Sequence, residues 1–340
     1  MRFPARGFGV AGLGLATVLA GCSSGDSPAG GGRVATSPAP VASGAAADRW
    51  TDRAAAPVER TEVAAAALGG RIWVVGGLLP SSAATAGVVV YDPAADTWSA
   101  GPDLPQALHH TAVAGDGSRL WVAGGYTSRR LAEPTAAVRV FDPATGRWQD
   151  GPPLPSPRAA GALAWDGARL VYGGGVGPDG LAGDVFALAG SAGNRAWRRL
   201  GVLHPPREHL AAASDGRGTT WFLAGRTGGI DANLADVDVV VGGEVRHAGR
   251  LPTPRGGVAG FHVPGAGGCA AGGEGPAGTF AEVECLTSDG RASSLPRLAH
   301  SRHGLGAVAV GGWAYTLLGG PRPGLTTSRT VESLELALTP

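Results

Sequence analysis

Arginine recurs at intervals of about fifty residues along this chain, at Arg60, Arg158, Arg207, Arg255 and Arg302, with Leu108 in the remaining place of the series. Two residues beyond each stand Glu62, His110, Ala160, His209, Gly257 and Gly304, and His109, Glu208 and His303 are interleaved. A guanidinium offers a planar fork that grips a carboxylate or phosphate through two bonds. A carboxylate or imidazole beside it can give or take a proton. Brought to one place, Arg60, His110, Arg158, Arg207, His209, Arg255 and Arg302 would line a ligand pocket. Glu62 and Glu208 are its candidate acid/base residues.

The elements that must position these residues are themselves repeated. Six hydrophobic runs end in small-residue doublets, at Gly76-Gly77, Gly124-Gly125, Gly173-Gly174, Ala224-Gly225, Gly272-Gly273 and Gly319-Gly320. Trp50, Trp98, Trp148 and Trp197 recur in step with them. Two aromatic strands run directly into Asp-Pro turns, at Tyr91-Asp92-Pro93 and Phe141-Asp142-Pro143, where Pro presets φ and the carboxylate accepts backbone N–H groups. In the first repeat, strands a to d fall near residues 63–68, 72–75, 88–92 and 97–100. Such a unit cannot bury its apolar faces alone, and radial stacking of four-stranded units makes a β-propeller.

The spacing predicts an all-β, six-bladed propeller of four antiparallel strands per blade over residues 48–340. Trp50 is a strand-d residue without strands a to c before it. The last repeat has a, b and c but no d after it. The segment around residues 49–51 is therefore expected to close the last blade, which removes an open edge.

The combination of doublet, aromatic-Asp-Pro turn, Trp and Leu154-Pro155-Ser156-Pro157-Arg158 or Leu251-Pro252-Thr253-Pro254-Arg255 resembles the kelch repeat family. The resemblance covers residues 48–338. It departs in repeat four, where Val245 stands for the Trp, and in repeat five, which has Ala292 there and no aromatic turn. It implies that function gathers where the d–a and b–c loops surround the channel. It equally implies a plainer use for the arginines, binding loop carbonyls or a neighbouring carboxylate. The b–c loops add Arg129, Arg130 and Glu133, then Arg226, Asp231, Asn233 and Asp236, and then Glu274.

Galactose oxidase also has kelch-like blades, but its copper needs two Tyr and two His, and Tyr91, Tyr126, Tyr172 and Tyr315 do not sit with a His in that arrangement. The six-bladed sialic acid mutarotases of bacterial periplasm are similar in blade number. A Glu acid/base with Arg207 and Arg255 as a carboxylate clamp would serve that reaction. No nucleophile elbow, Walker loop or His-Glu-x-x-His occurs. Asp231-Ala232-Asn233 lacks the Gly and distal Glu of a calcium loop. No metal and no cofactor are expected.

Residues 1–21 read as a secretory signal, with Arg2 and Arg6 before an apolar stretch. Leu19-Ala20-Gly21-Cys22 resembles the lipobox of bacterial lipoproteins, which implies a lipid on Cys22 and a place on the outer face of the cytoplasmic membrane, in the cell envelope. Residues 22–47, rich in Ser, Gly, Ala and Pro, read as a disordered tether. Net charge is +1, which excludes an electrostatic footprint for nucleic acid. Cys269 and Cys285 are expected to form a disulfide. The expected protein is a monomeric, lipid-anchored propeller that binds a protein or glycan through its Arg/His-rich channel face. The alternative is a sugar-acid mutarotase-like isomerase at that face.

Overall fold

Short runs rich in Val, Ala and aromatic residues, broken by Gly and Asp-Pro turns, give each repeat its four strands. The computed structural model describes residues 48–128, 131–189 and 195–336. The signal segment 1–21, Cys22, the tether 22–47, and Arg129 and Arg130 lie outside the described residues. Among the described residues are six four-stranded antiparallel sheets and two short hairpins, and no helix is long and apolar enough to cross a membrane. The first blade comprises Ala64–Leu68, Arg71–Val75, Val88–Asp92 and Thr97–Ala100, in the expected order a-b-c-d.

Strand d forms in blades four and five despite the missing Trp, as Glu244–Arg250 and Ala292–Leu295. Ladder pairing with strand c suffices there. Where the Trp is present it reaches back to the preceding blade. Trp98, Trp148 and Trp197 donate from Nε1 to the carbonyls of Ala54, Pro102 and Pro152 at 2.8, 2.9 and 2.9 Å.

The ring closes as the offset requires. Thr51–Asp52 pairs with Val331–Glu335, with Thr51 opposite Ser333 and Asp52 opposite Glu332. Trp50 is buried and donates to the Pro296 carbonyl of blade five at 2.8 Å.

The doublets join neighbouring blades, and two of them shift by one residue. Gly77, Gly125, Gly175, Gly225, Gly273 and Gly319 each donate N–H to the carbonyl of Leu108, Arg158, Arg207, Arg255, Arg302 and Arg60 at the start of the following strand a, at 2.8–3.0 Å. The third doublet is thus Gly174-Gly175 and the sixth Leu318-Gly319. A Cβ on Gly124 would stand 2.3 Å from the Arg158 carbonyl oxygen, so the close approach excludes a side chain there.

The expected disulfide is present between Cys269 and Cys285, which face each other across strands b and c of blade five. Cys269 occupies the place of Trp73 and Trp121. Cys285 takes the place of Val90 and Val140, opposite those tryptophans, one residue short of the Tyr91 and Phe141 positions expected for it. A covalent bond replaces an aromatic packed on its cross-strand neighbour.

Candidate functional site

A circuit of backbone bonds surrounds the channel mouth. His110 donates N–H to the Glu62 carbonyl, Ala160 to His110, His209 to Ala160, Gly257 to His209 and Gly304 to Gly257, at 2.8–3.3 Å, and Val63 closes the circuit on Gly304 at 3.2 Å. All six residues have positive φ, between 50° and 70°. Glycine takes that conformation freely, whereas a residue with a Cβ loses about 1–2 kcal/mol. Four of the six places nevertheless carry a Cβ, at Glu62, His110, Ala160 and His209. Ala160, between His110 and His209, is small enough for their rings to meet with centroids 4.8 Å apart.

Gly304 admits the Glu62 carboxylate: a Cβ there would stand 2.6 Å from Oε1. Behind this circuit lies a second tier. His109 pairs with Tyr126, Glu208 with Arg226, Gly256 with Glu274 and His303 with Gly320 through isolated bridges between each strand-a start and the residue after the doublet.

The two tiers form one polar cluster. Glu62 Oε2 lies 3.2 Å from His110 Nε2, and Oε1 lies 3.4 Å from His303 Nδ1. Arg226 bridges Glu208 at 3.2 Å and Glu274 at 2.9 Å. His209 Nδ1 is 3.3 Å from Glu208, and Glu274 is 3.6 Å from His303. Burial opposes the charge on Glu62, yet His110, His303 and His209 hold its pKa well below the usual carboxylate range. Burial pushes His110 down to about 3, against the pull of Glu62, and lowers His109. Burial also acts to lower His303, but Glu62 and Glu274 raise it overall. Glu208 is lowered against its burial by His209 and Arg226. Glu62, His110, Ala160, His209, Gly257 and Gly304 line a cavity of about 70 Å³. That space is enough for a few waters, an ion or the tip of a side chain.

The arginine series does not line this cavity, which corrects the expectation for Arg60, Arg158, Arg207, Arg255 and Arg302. Each guanidinium is buried against strands b and c of its own blade. Arg207 donates to the carbonyls of Ala224 and Phe222 and to Asp238 at 2.8, 3.1 and 2.7 Å. Arg255 repeats this with Gly272, Ala270 and Glu284 at 2.8, 2.9 and 2.5 Å. Arg302 binds Thr330, Thr316 and Glu332, Arg158 binds Pro157 and Asp184, and Arg60 binds the carbonyls of Gly87 and Gly76. A desolvated cation needs its donors satisfied; the acceptors do so for Arg207 and Arg255, whereas the Nε of Arg60, Arg158 and Arg302 meets no hydrogen-bond partner. The acids on strand c, Asp184, Asp238, Glu284 and Glu332, escaped the sequence reading. Their signal is an acid inside an apolar strand.

Of the other candidates, His110 and His209 meet Glu62 and Glu208 at the mouth, and Arg226 and Glu274 join them. Tyr126 is a further member, packed with ring centroids 5.4 and 5.7 Å from His109 and His110. Asn233 fixes the Glu274 carbonyl at 2.7 Å. Asp236 faces Arg250, and Glu133 is exposed. Deeper in, the channel is lined by Ala65, Val113, Leu163, Ala212, Gly260 and Ala307.

Residues 59–105 and 107–155 match the Kelch motif. Among solved structures the chain is similar to that of YjhT, with 14% sequence identity, 82% of this chain and 96% of that chain covered, and a TM-score of 0.67. At that identity the likeness speaks to the fold. No curated protein matches the chain in sequence.

Proposed function

We propose that this chain, a kelch-repeat β-propeller, binds a protein partner across its channel face, with one polar group of the partner entering the Glu62–His110–His209 cavity. The observation that carries this is the distribution of apolar exposure. Among the described residues the exposed large hydrophobics are Val58, Leu131, Leu181, Val241 and Leu325. Val58 lies in a d–a loop and Leu131, Leu181 and Leu325 in b–c loops, so four of the five sit on the mouth side. Four exposed apolar side chains on loops around a recessed polar centre fit a protein surface better than a glycan. Propeller channel faces are also where binding groups converge.

The sugar-acid isomerase reading is less well supported. Its clamp, Arg207 and Arg255, is engaged inside the blades, and Arg226 already holds Glu208 and Glu274. A sugar carboxylate would meet mainly carboxylates. The sequence of residues 1–22 and the Cys269–Cys285 bond support an extracytoplasmic, lipid-anchored setting. The test is quantitative capture from membrane extracts with the wild type, Leu131→Glu, Leu325→Glu and Val241→Glu. A partner is expected to be lost with the first two variants and kept with the third, whose site is at the opposite end. Capture indifferent to all three, with a glycan array responding instead, would move the reading to a glycan.

A further inference from the structure

The hydrogen positions along one line of side chains can be assigned from their partners. His109 Nε2 lies 2.8 Å from the Ser128 carbonyl oxygen, which only accepts, so Nε2 carries a hydrogen. His109 Nδ1 lies 2.6 Å from His110 Nδ1. With both rings neutral, His109 Nδ1 accepts and His110 Nδ1 donates, which leaves His110 Nε2 bare. That bare nitrogen faces Glu62 Oε2 at 3.2 Å. In that protonation state two lone pairs are opposed in a buried site, which a cation between them relieves.

A third donor stands ready. One ligand atom from each of Glu62, His110 and His209 lies within 4.8 Å of the others. His209 is 7% exposed, and its Nδ1 lies 3.3 Å from the Glu208 carboxylate. We propose that Glu62, His110 and His209 form a three-ligand site for a divalent transition metal ion of the zinc type, with a coordination position open to the channel.

Two imidazoles and a carboxylate are the donor set of such ions, whereas calcium and magnesium take oxygen ligands. Bonds of about 2.0–2.1 Å in tetrahedral geometry put ligand atoms roughly 3.3 Å apart, and the Glu62–His110 pair is already at 3.2 Å. The outer contacts are those that orient ligating imidazoles: His109 behind His110, and the Glu208 carboxylate behind His209 Nδ1, which leaves Nε2 to the ion. Glu208 and Glu274 share one guanidinium, Arg226, while Glu62 meets only the imidazoles of His110 and His303, so no permanently charged cation pairs with it. The cavity of about 70 Å³ leaves room for the ion with a water or a partner side chain. A second grouping, Asp52, His300 and Glu332, does not compare, because the Glu332 carboxylate already accepts from Ala299, His300 and Arg302.

The test uses the full chain, stripped with a chelator and titrated calorimetrically with ZnCl2, with elemental analysis for stoichiometry and Co2+ absorption for geometry. One equivalent is expected to bind the wild type, and His300→Ala is expected to match it. Glu62→Gln and His209→Asn are expected to bind more than about 100-fold more weakly, since losing a ligand exceeds an outer-shell change. Asn tolerates the left-handed backbone at 209, and far-UV circular dichroism confirms folding. Absence of Zn2+ and Co2+ binding by the folded wild type would overturn the site. So would binding unchanged in both folded variants, or a preference for Ca2+. The docking reading is tested separately by the Leu131→Glu and Leu325→Glu variants: partner capture lost with them but unaffected by chelation would keep the docking face without the ion.

Discussion

Replacing Arg255 with alanine separates a structural arginine from a ligand-binding one. Its guanidinium is fully buried and donates to Gly272, Thr253 and Ala270 carbonyls and to Glu284. Truncation leaves Glu284 charged, buried and supported by Thr253 alone. Breaking a buried pair from one side costs about 3–5 kcal/mol. At about 2.1 cal/mol/K per residue, a ring of roughly 290 residues loses about 1.6 °C per kcal/mol, so Tm should fall by on the order of 5–8 °C. Calorimetric melts of the wild type, Arg255→Ala, Glu284→Gln and the double variant Arg255→Met/Glu284→Gln provide the assay. The double variant is expected to melt above Arg255→Ala, because no orphan charge remains. Arg60, which binds carbonyls and has no strand-c acid, should cost less when truncated. An Arg255→Ala protein that melts with the wild type yet loses partner capture would refute the structural assignment.

Gly304→Ala places a methyl 2.6 Å from Glu62 Oε1 at a φ of 56°, and should displace that carboxylate, lower stability by about 1–2 kcal/mol and weaken Zn2+ binding. Gly257→Ala, whose nearest contact is 3.4 Å, should leave the ion affinity closer to wild type in the same titration. In chelated protein, His110 stays neutral in the fold down to about pH 3 while the unfolded chain takes up its proton near pH 6.5, so stability should fall as pH drops from 6.5 to 4.5, before Glu62 contributes. Urea unfolding of His110→Asn across that window should show a shallower slope; equal slopes would remove His110 as the cause. His303 has the opposite sign, since its raised pKa gives stability that is present at low pH and lost as pH rises through it. Reducing Cys269–Cys285, which closes a loop with a separation of 16, should cost about 3 kcal/mol, read as a lower melt in dithiothreitol.

The blade count, the Asp-Pro turns and the closing strand were legible because each depends on local pattern. The doublet register was less so: Gly173, Gly174 and Gly175 are indistinguishable in sequence, and Leu318 carries a conformation usually given to glycine. The arginines were legible as a series but not in direction, since their acceptors lie on strands b and c, tens of residues away. The cluster was visible as positions and not as contacts. Glu62 meets His303 only because the ring brings its first and last blades together. Charge pairing behind the mouth, through Glu274 and Arg226, likewise joins neighbouring blades that no local pattern connects.

The last blade is assembled from both ends of the propeller, and Arg53 meets Ser333 across 280 positions of chain. Its outer strand is therefore among the first segments of the fold to be made and the last able to dock. Until it docks, Val331–Glu335 presents an unpaired edge. The same segment of a second molecule would satisfy that edge in identical register. A dimer by exchange of N-terminal strands is thus the misassembly to be expected when folding proceeds at high concentration, read as a dimer peak in size-exclusion chromatography of refolded protein. The fastening that keeps one ring shut is also the link by which two rings can be chained.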